Sequence, residues 1–475
     1  MESVIRILKN ANKEQLLKKT LEKVHDNQVL CNSFVTIMDN AKLNPESDSV
    51  LSNIPYVLKD NYSTKGILTT GSSNTLKDYI PPYSSTVYEK LSLAGAIMVA
   101  KSVMDEFGMG GTGLTGHTGI VRNPWDTSLI AGGSSAGSAA SVAAGVVPFA
   151  IGSDTGDSVR KPAAHCGIVG YKPTYGMISR WGLLPFASSL DHVGVFARTV
   201  SDVAIVVDVL KGKDEKDMTT WDSSNINLEA HLNDSVKGKK LFYFKELCDI
   251  SFYENPSDDL KKVIEEFNNT INVIKRIGID VVEESFPKEL LDAIPSVYTC
   301  ISCAEATSNM SNLTGIIFGP REDGNINEMI INHRTLNFSS LIKRRFIIGS
   351  YVLQRENQEK YFVNALRVRN RIVRLMKEKF NNYDGLILPC SASHAPKIHG
   401  TADVIRQDLA TLENHMAIGN FGGFPSITIP NGMIDGLPIG VNITGNIYDD
   451  ENVLAIASHI ADSMPYEGQI AGDNK

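Results

Sequence analysis

Residues 54–58, 96–100 and 149–152 are apolar runs of strand length in which no polar residue alternates with the apolar ones. A strand with one wet face alternates, so runs of this kind predict strands buried on both sides. Helical stretches separate them. The expected fold is therefore α/β, a large mixed β-sheet covered by helices on both faces.

The texture of the chain suggests how its 475 residues are divided. Residues 1–50 read as a helical segment, with Leu and Ile spaced among lysines. Residues 51–465 read as one large domain with its core at about 51–200 and a helical middle at about 201–380. Charged amphipathic helices are expected at 258–277 and 357–380, and a helix of small residues at 134–147. Strand-like runs at 385–389 and 426–430 return to the core sheet. Residues 466–475 read as a polar, frayed tail.

Composition removes several function classes. A formal net charge of -8 argues against a chain that grips nucleic acid by itself. Six cysteines in so long a chain make no disulfide framework. Cys300 and Cys303 lack a second pair at zinc spacing and read as two thiols on one apolar helix face, so no metal is expected. The longest apolar run, 139–151, is too short to span a bilayer and is broken by Gly145 and Pro148. No signal-peptide pattern opens the chain. The expectation is a soluble, reduced, cytoplasmic protein with no membrane partner.

Candidate chemistry lies in the glycine-rich stretch. Ser134 and Ser135 stand on a glycine-lined turn ahead of a helix, whose free N–H groups suit a developing oxyanion. Ser158 follows a second turn-rich loop, Thr155-Gly156-Asp157, whose amides can converge on one point. Lys59 ends the apolar run 54–58; burial there strips its solvation, lowers its pKa and makes it a base. Three other patterns compete. Gly133-Ser-Ser135-Ala-Gly137 fits a nucleophile elbow with Ser135, and His394, His399, His415 or His459 as partner, but no strand precedes it. Ser158-Val-Arg-Lys161 fits S-x-x-K, but Pro162 disfavours a helical Lys161. Gly111-Thr-Gly113-Leu-Thr-Gly116 fits a dinucleotide loop, but a loop-like segment follows where a helix is required.

Lys59, Ser134 and Ser158, with the flanking text "IPYVLKDNYSTKGILTTGSSN", "GGSSAGSAA" and "GSDTGDSVRKPAAHCGIVGYKPTYGMISRWGL", resemble the Ser–cis-Ser–Lys triad of the amidase signature family. The resemblance is dense from about residue 54 to residue 200. It implies that Ser158 is the acyl-enzyme nucleophile and that Ser134, following a non-proline cis bond, relays its proton to Lys59. The amides of Thr155, Gly156, Asp157 and Ser158 would form the oxyanion hole. Asp157 and Ala136 depart from the family pattern, standing where glycine is usual.

Residues 104–110, 122–126, 172–176 and 187–194 further resemble the ammonia-producing A subunits of tRNA-dependent amidotransferases within that family. This implies a glutamine substrate, with Tyr298, Arg345 and Glu413 as its binding residues. It also implies B and C subunits as partners, with Glu-tRNA(Gln) engaged mainly through the B subunit. No cofactor would be bound by this chain; ATP and Mg2+ would be used by the partner subunit. A stand-alone amidase for other small amides, or a catalytically impaired scaffold subunit, are the alternatives.

Overall fold

The computed structural model describes residues 2–45, 47–398 and 410–472. Its strands are β1 (Phe34–Ile37), β2 (Pro55–Lys59), β3 (Ile97–Ser102), β4 (Phe149–Asp154), β5 (Val169–Lys172), β6 (His192–Ala197), β7 (Lys240–Phe244), β8 (Asp280–Glu284), β9 (Gly385–Pro389), β10 (Ser426–Ile434) and β11 (Leu437–Thr444). They form one mixed sheet in the order β1-β3-β2-β4-β6-β5-β10-β11-β9-β7-β8.

The continuous apolar runs serve two cores at once. Tyr56 and Leu58 of β2 enter one core while Val57 enters the other, and β4 divides Phe149 and Ile151 from Ala150 in the same way. This is the period-two geometry of a strand covered on both faces. Helices Lys13–Cys31 and Ala136–Ala143 close the second core, and helix Val200–Leu210 packs into the first.

The sheet order positions the site. β2 pairs in parallel with both β3 and β4, so Lys59, Ser102 and Asp154 reach the same edge together. The carboxyl ends of adjacent parallel strands are where open α/β sheets gather their chemistry. Helix Ala136–Ala143 approaches this edge closely because its first residues are small. A Cβ on Gly137 would stand 2.1 Å from the Ser33 carbonyl oxygen and 2.9 Å from that of Val103. Gly137→Ala is therefore expected to destabilise the fold by ~1–3 kcal/mol, the usual cost of overpacking. Thermal unfolding would show it as a lowered midpoint.

The structure revises several expectations. Residues 1–50 are not helical throughout: after the helix ends at left-handed Asn32, β1 joins the sheet antiparallel to β3. Its four residues are too short to stand out in the sequence. The helical middle also contributes β7 and β8, paired in parallel, with helix Asp258–Arg276 between them in the chain. β8 reads as polar because it is an edge strand. The stretch 357–380 is interrupted by a π-helical turn at Glu359–Val363 before helix Asn364–Phe380. Finally, residues 466–472 dock rather than fray. Glu467 accepts a hydrogen bond from the Val200 N–H at 2.7 Å, and the Ala471 N–H reaches the Ala143 carbonyl at 2.9 Å. One carboxylate that caps a helix outweighs the polar composition of the segment. Residues 473–475 lie outside the described residues. Among those described, no helix is long and apolar enough to cross a membrane.

Candidate active site

Lys59 is the last residue of β2 and is fully buried. Its Nζ lies 2.8 Å from Ser134 Oγ, 2.8 Å from Ser135 Oγ, 2.9 Å from Ser153 Oγ and 3.2 Å from the Ser153 carbonyl. Burial pushes its pKa down to about 7, against the opposing pull of Asp105, Asp154 and Asp191. An ammonium has only three hydrogens for these four oxygens. The neutral amine, in contrast, offers a lone pair to one hydroxyl while donating to others, so this surround suits a lysine that exchanges a proton.

Ser134 arrives on the turn between Gly132 and Ser135, and the Gly133–Ser134 peptide is cis. Gly133 is required because a Cβ there would fall 2.0 Å from Asp105 Oδ2. Asp105 in turn organises the neighbouring glycine-rich loop: its two carboxylate oxygens accept from the N–H groups of Thr112, Gly113, Leu114 and Thr115 at 3.0–3.2 Å. The dinucleotide-like glycine pattern thus aims its amides at an internal carboxylate, and no helix follows it. Ser135 is wholly buried, accepting from Lys59 at 2.8 Å and donating to the Ser153 carbonyl at 3.1 Å, so its hydroxyl is engaged inside the fold. His399 lies outside the described residues; buried His415 bonds the Leu412 carbonyl instead.

Ser158 follows β4 on the loop 155–158. The Ser135 N–H donates to the Ser158 carbonyl at 3.3 Å, which ties the two serine-bearing turns together. The N–H groups of Thr155, Gly156, Asp157 and Ser158 donate to no acceptor among the described residues. Two buried devices hold this loop. Arg160, fully buried, donates to both oxygens of Asp154 at 2.9 and 3.1 Å and to the Gly156 carbonyl at 2.7 Å. Burial alone would raise the Asp154 carboxyl, but the Arg160 guanidinium holds it well below the usual carboxylate range. On the other side, Thr155 Oγ1 donates to Asp191 Oδ1 at 2.7 Å. Burial pushes Asp191 up to about 6 despite that hydroxyl and the Ala187 N–H.

The two departures from glycine fit without backbone strain. Neither Asp157 nor Ala136 adopts a positive φ, so neither position demands glycine for its conformation. The Asp157 carboxylate turns toward Lys161, with Oδ2 at 3.6 Å from Nζ. Lys161 is helical after all, since Pro162 falls in the first turn of helix Arg160–Cys166, where a missing N–H costs nothing. Its ammonium is committed to Glu413 at 2.7 Å, not to Ser158.

Tyr298, on helix Lys288–Asn309, covers the loop: a Cβ on Gly156 would meet its ring at 2.9 Å. Arg345, on helix Ser340–Leu353, stands 5.6 Å over the Phe186 ring, and its buried Nε has no hydrogen-bond partner among the described residues. Gly349 lets the two helices approach, since a Cβ there would fall 2.1 Å from the Cys303 carbonyl oxygen. Burial pushes the Tyr298 phenol up, partly offset by the Arg345 charge. Glu413 is not open in the way Arg345 is: Oε2 holds Lys161 and Oε1 accepts the Ala392 N–H at 2.8 Å.

Sequence reasoning missed Ser153 and the positioning pairs Arg160–Asp154 and Thr155–Asp191. Arg160, Asp154 and Asp191 all lie inside stretches already singled out, and a buried-charge argument applied to those stretches would have raised them.

The chain is similar to known proteins along most of its length. The family model described as Amidase matches residues 17–454. The A subunit of glutamyl-tRNA(Gln) amidotransferase from Mycoplasma pneumoniae is 42% identical over 432 residues, 89% of this chain and 88% of that one. The protein of the same name from Thermoanaerobacter pseudethanolicus is 37% identical, covering 93% of this chain and 91% of its own. The crystal structure of the Thermotoga maritima protein, again of that name, matches with a TM-score of 0.80 at 32% identity, covering 98% of this chain and 97% of the other.

Proposed function

The chain belongs to the Amidase family, and on that premise we propose that it hydrolyses glutamine to glutamate and ammonia as the A subunit of a tRNA-dependent amidotransferase. The observation that carries the hydrolase part is the convergence of buried Lys59 on Ser134 Oγ, beside a loop of unpaired amides that ends in Ser158. The names of its relatives support glutamine and the tRNA-linked complex.

In this reading the Ser158 hydroxyl attacks the side-chain amide carbon. Its proton passes to Ser134 as the Ser134 proton passes to neutral Lys59. The amides of Thr155, Gly156, Asp157 and Ser158 receive the oxyanion. The tetrahedral adduct collapses, Ser134 returns a proton to the departing nitrogen, and ammonia leaves a γ-glutamyl ester on Ser158. Water activated by the same relay frees glutamate. Tyr298 covers the loop, and the unpaired Arg345 Nε takes the α-carboxylate.

Ammonia then passes to a B subunit that activates Glu-tRNA(Gln) with ATP and Mg2+, with a C subunit bracing the pair; this chain holds no cofactor itself. Exposed Ile317, Ile326, Ile331, Leu336 and Ile347 in the helical middle support a partner surface. Six free cysteines, five of them buried, support a cytoplasmic setting.

Ammonia release from glutamine tests the proposal. It is expected to rise sharply when the full chain is assembled with B and C subunits, ATP and Glu-tRNA(Gln). Hydrolysis of simple amides but never of glutamine would instead identify a stand-alone amidase.

A further inference from the structure

Three charged side chains crowd the wall of the site beside Ser158. Lys161 Nζ lies 2.7 Å from Glu413 Oε2 and 3.6 Å from Asp157 Oδ2. It also donates to the Glu413 backbone carbonyl. Two carboxylates share one ammonium, and the direct contact goes to Glu413, whose other oxygen is taken by the Ala392 N–H. The Asp157 carboxylate accepts no hydrogen bond among the described residues, and its side chain remains 22% exposed. It belongs to the residue between Gly156 and the nucleophile, close enough to Tyr298 for their charges to interact.

The charges of the site are therefore incomplete in two places. Arg345 offers a buried Nε with no hydrogen-bond partner among the described residues. The Asp157–Lys161–Glu413 group is one positive charge short. A free amino acid supplies the complement to both, a carboxylate for the first and an ammonium for the second. We infer that Asp157 receives the α-ammonium of the substrate while Lys161 and Glu413 form the closed ion pair behind it. The inference rests on the proposed glutaminase reading and assigns the substrate's ammonium to a different carboxylate from the one expected, Glu413. Burial holds the Asp157 carboxyl above its usual range against the pull of Lys161, as expected for a carboxylate not yet fully compensated.

Glutaramate, which keeps the amide and carboxylate of glutamine but has no ammonium, provides the test. In the full chain assembled with B and C subunits, Asp157→Asn should lower kcat/KM for glutamine relative to that for glutaramate. The expected change in ratio is roughly 10- to 100-fold, the range for one hydrogen bond to a charged group. Asp157→Gly, which restores the residue usual in the family, should shift the ratio in the same direction and guards against a misfolded variant. Glu413→Gln should reduce both substrates in step. Equal losses on both substrates with Asp157→Asn, or a ratio that moves with Glu413→Gln instead, would overturn the assignment. A wild-type chain with no preference for glutamine over glutaramate would instead remove the glutaminase reading, and the inference with it.

Discussion

Ser158→Ala is expected to reduce glutamine hydrolysis by on the order of 10⁴–10⁶-fold, the loss seen when a serine nucleophile is removed from a preorganised site. The reasons are local. Of the two serines proposed for the chemistry, Ser158 is the one whose hydroxyl Lys59 does not hold, and its loop amides have no acceptor among the described residues. The substitution removes one oxygen and leaves the Arg160 and Asp191 supports in place, so the variant should fold and assemble as the parent does. Steady-state ammonia release measures the effect; a variant with full turnover would mean the nucleophile lies elsewhere.

Lys59→Ala should lower kcat/KM by ~10²–10⁴-fold, the usual contribution of a proton-transfer group. Its pH profile adds a sharper test. Burial places the Lys59 pKa at about 7, below the ordinary lysine value. Below that pH the amine is protonated and has no lone pair for Ser134; above it the base is free. Activity of the wild-type protein should therefore rise as pH increases through about 7, and the variant should lose that limb. A profile unchanged by the substitution would reduce Lys59 to a structural strand end.

Lys59, Ser134 and Ser158 stood out because each sits in a short, unusual sequence context: an apolar run closed by lysine, or serine among glycines. The sheet was legible for the opposite reason, since β2, β3 and β4 are apolar on both faces. What stayed hidden depends on distant pairing. Lys161 and Glu413 are 252 positions apart, and nothing local in either segment announces an ion pair. Ser135 and Ser153 complete the oxygen surround of Lys59 only because β2 and β4 run parallel. The helix placed at 134–147 is in fact Ala136–Ala143, because the turn bearing Ser134 and Ser135 precedes it. β1 and β8 escaped notice because edge strands can be short or polar without loss of pairing.

The most direct measurement is an acid-quenched reaction of the assembled protein with glutamine, digested and read by mass spectrometry. Ser158 as the nucleophile predicts a γ-glutamyl adduct on the peptide that contains it, absent from Ser158→Ala. An adduct on Ser134 or Ser135 instead, or rapid ammonia release with no adduct on any serine, would contradict it.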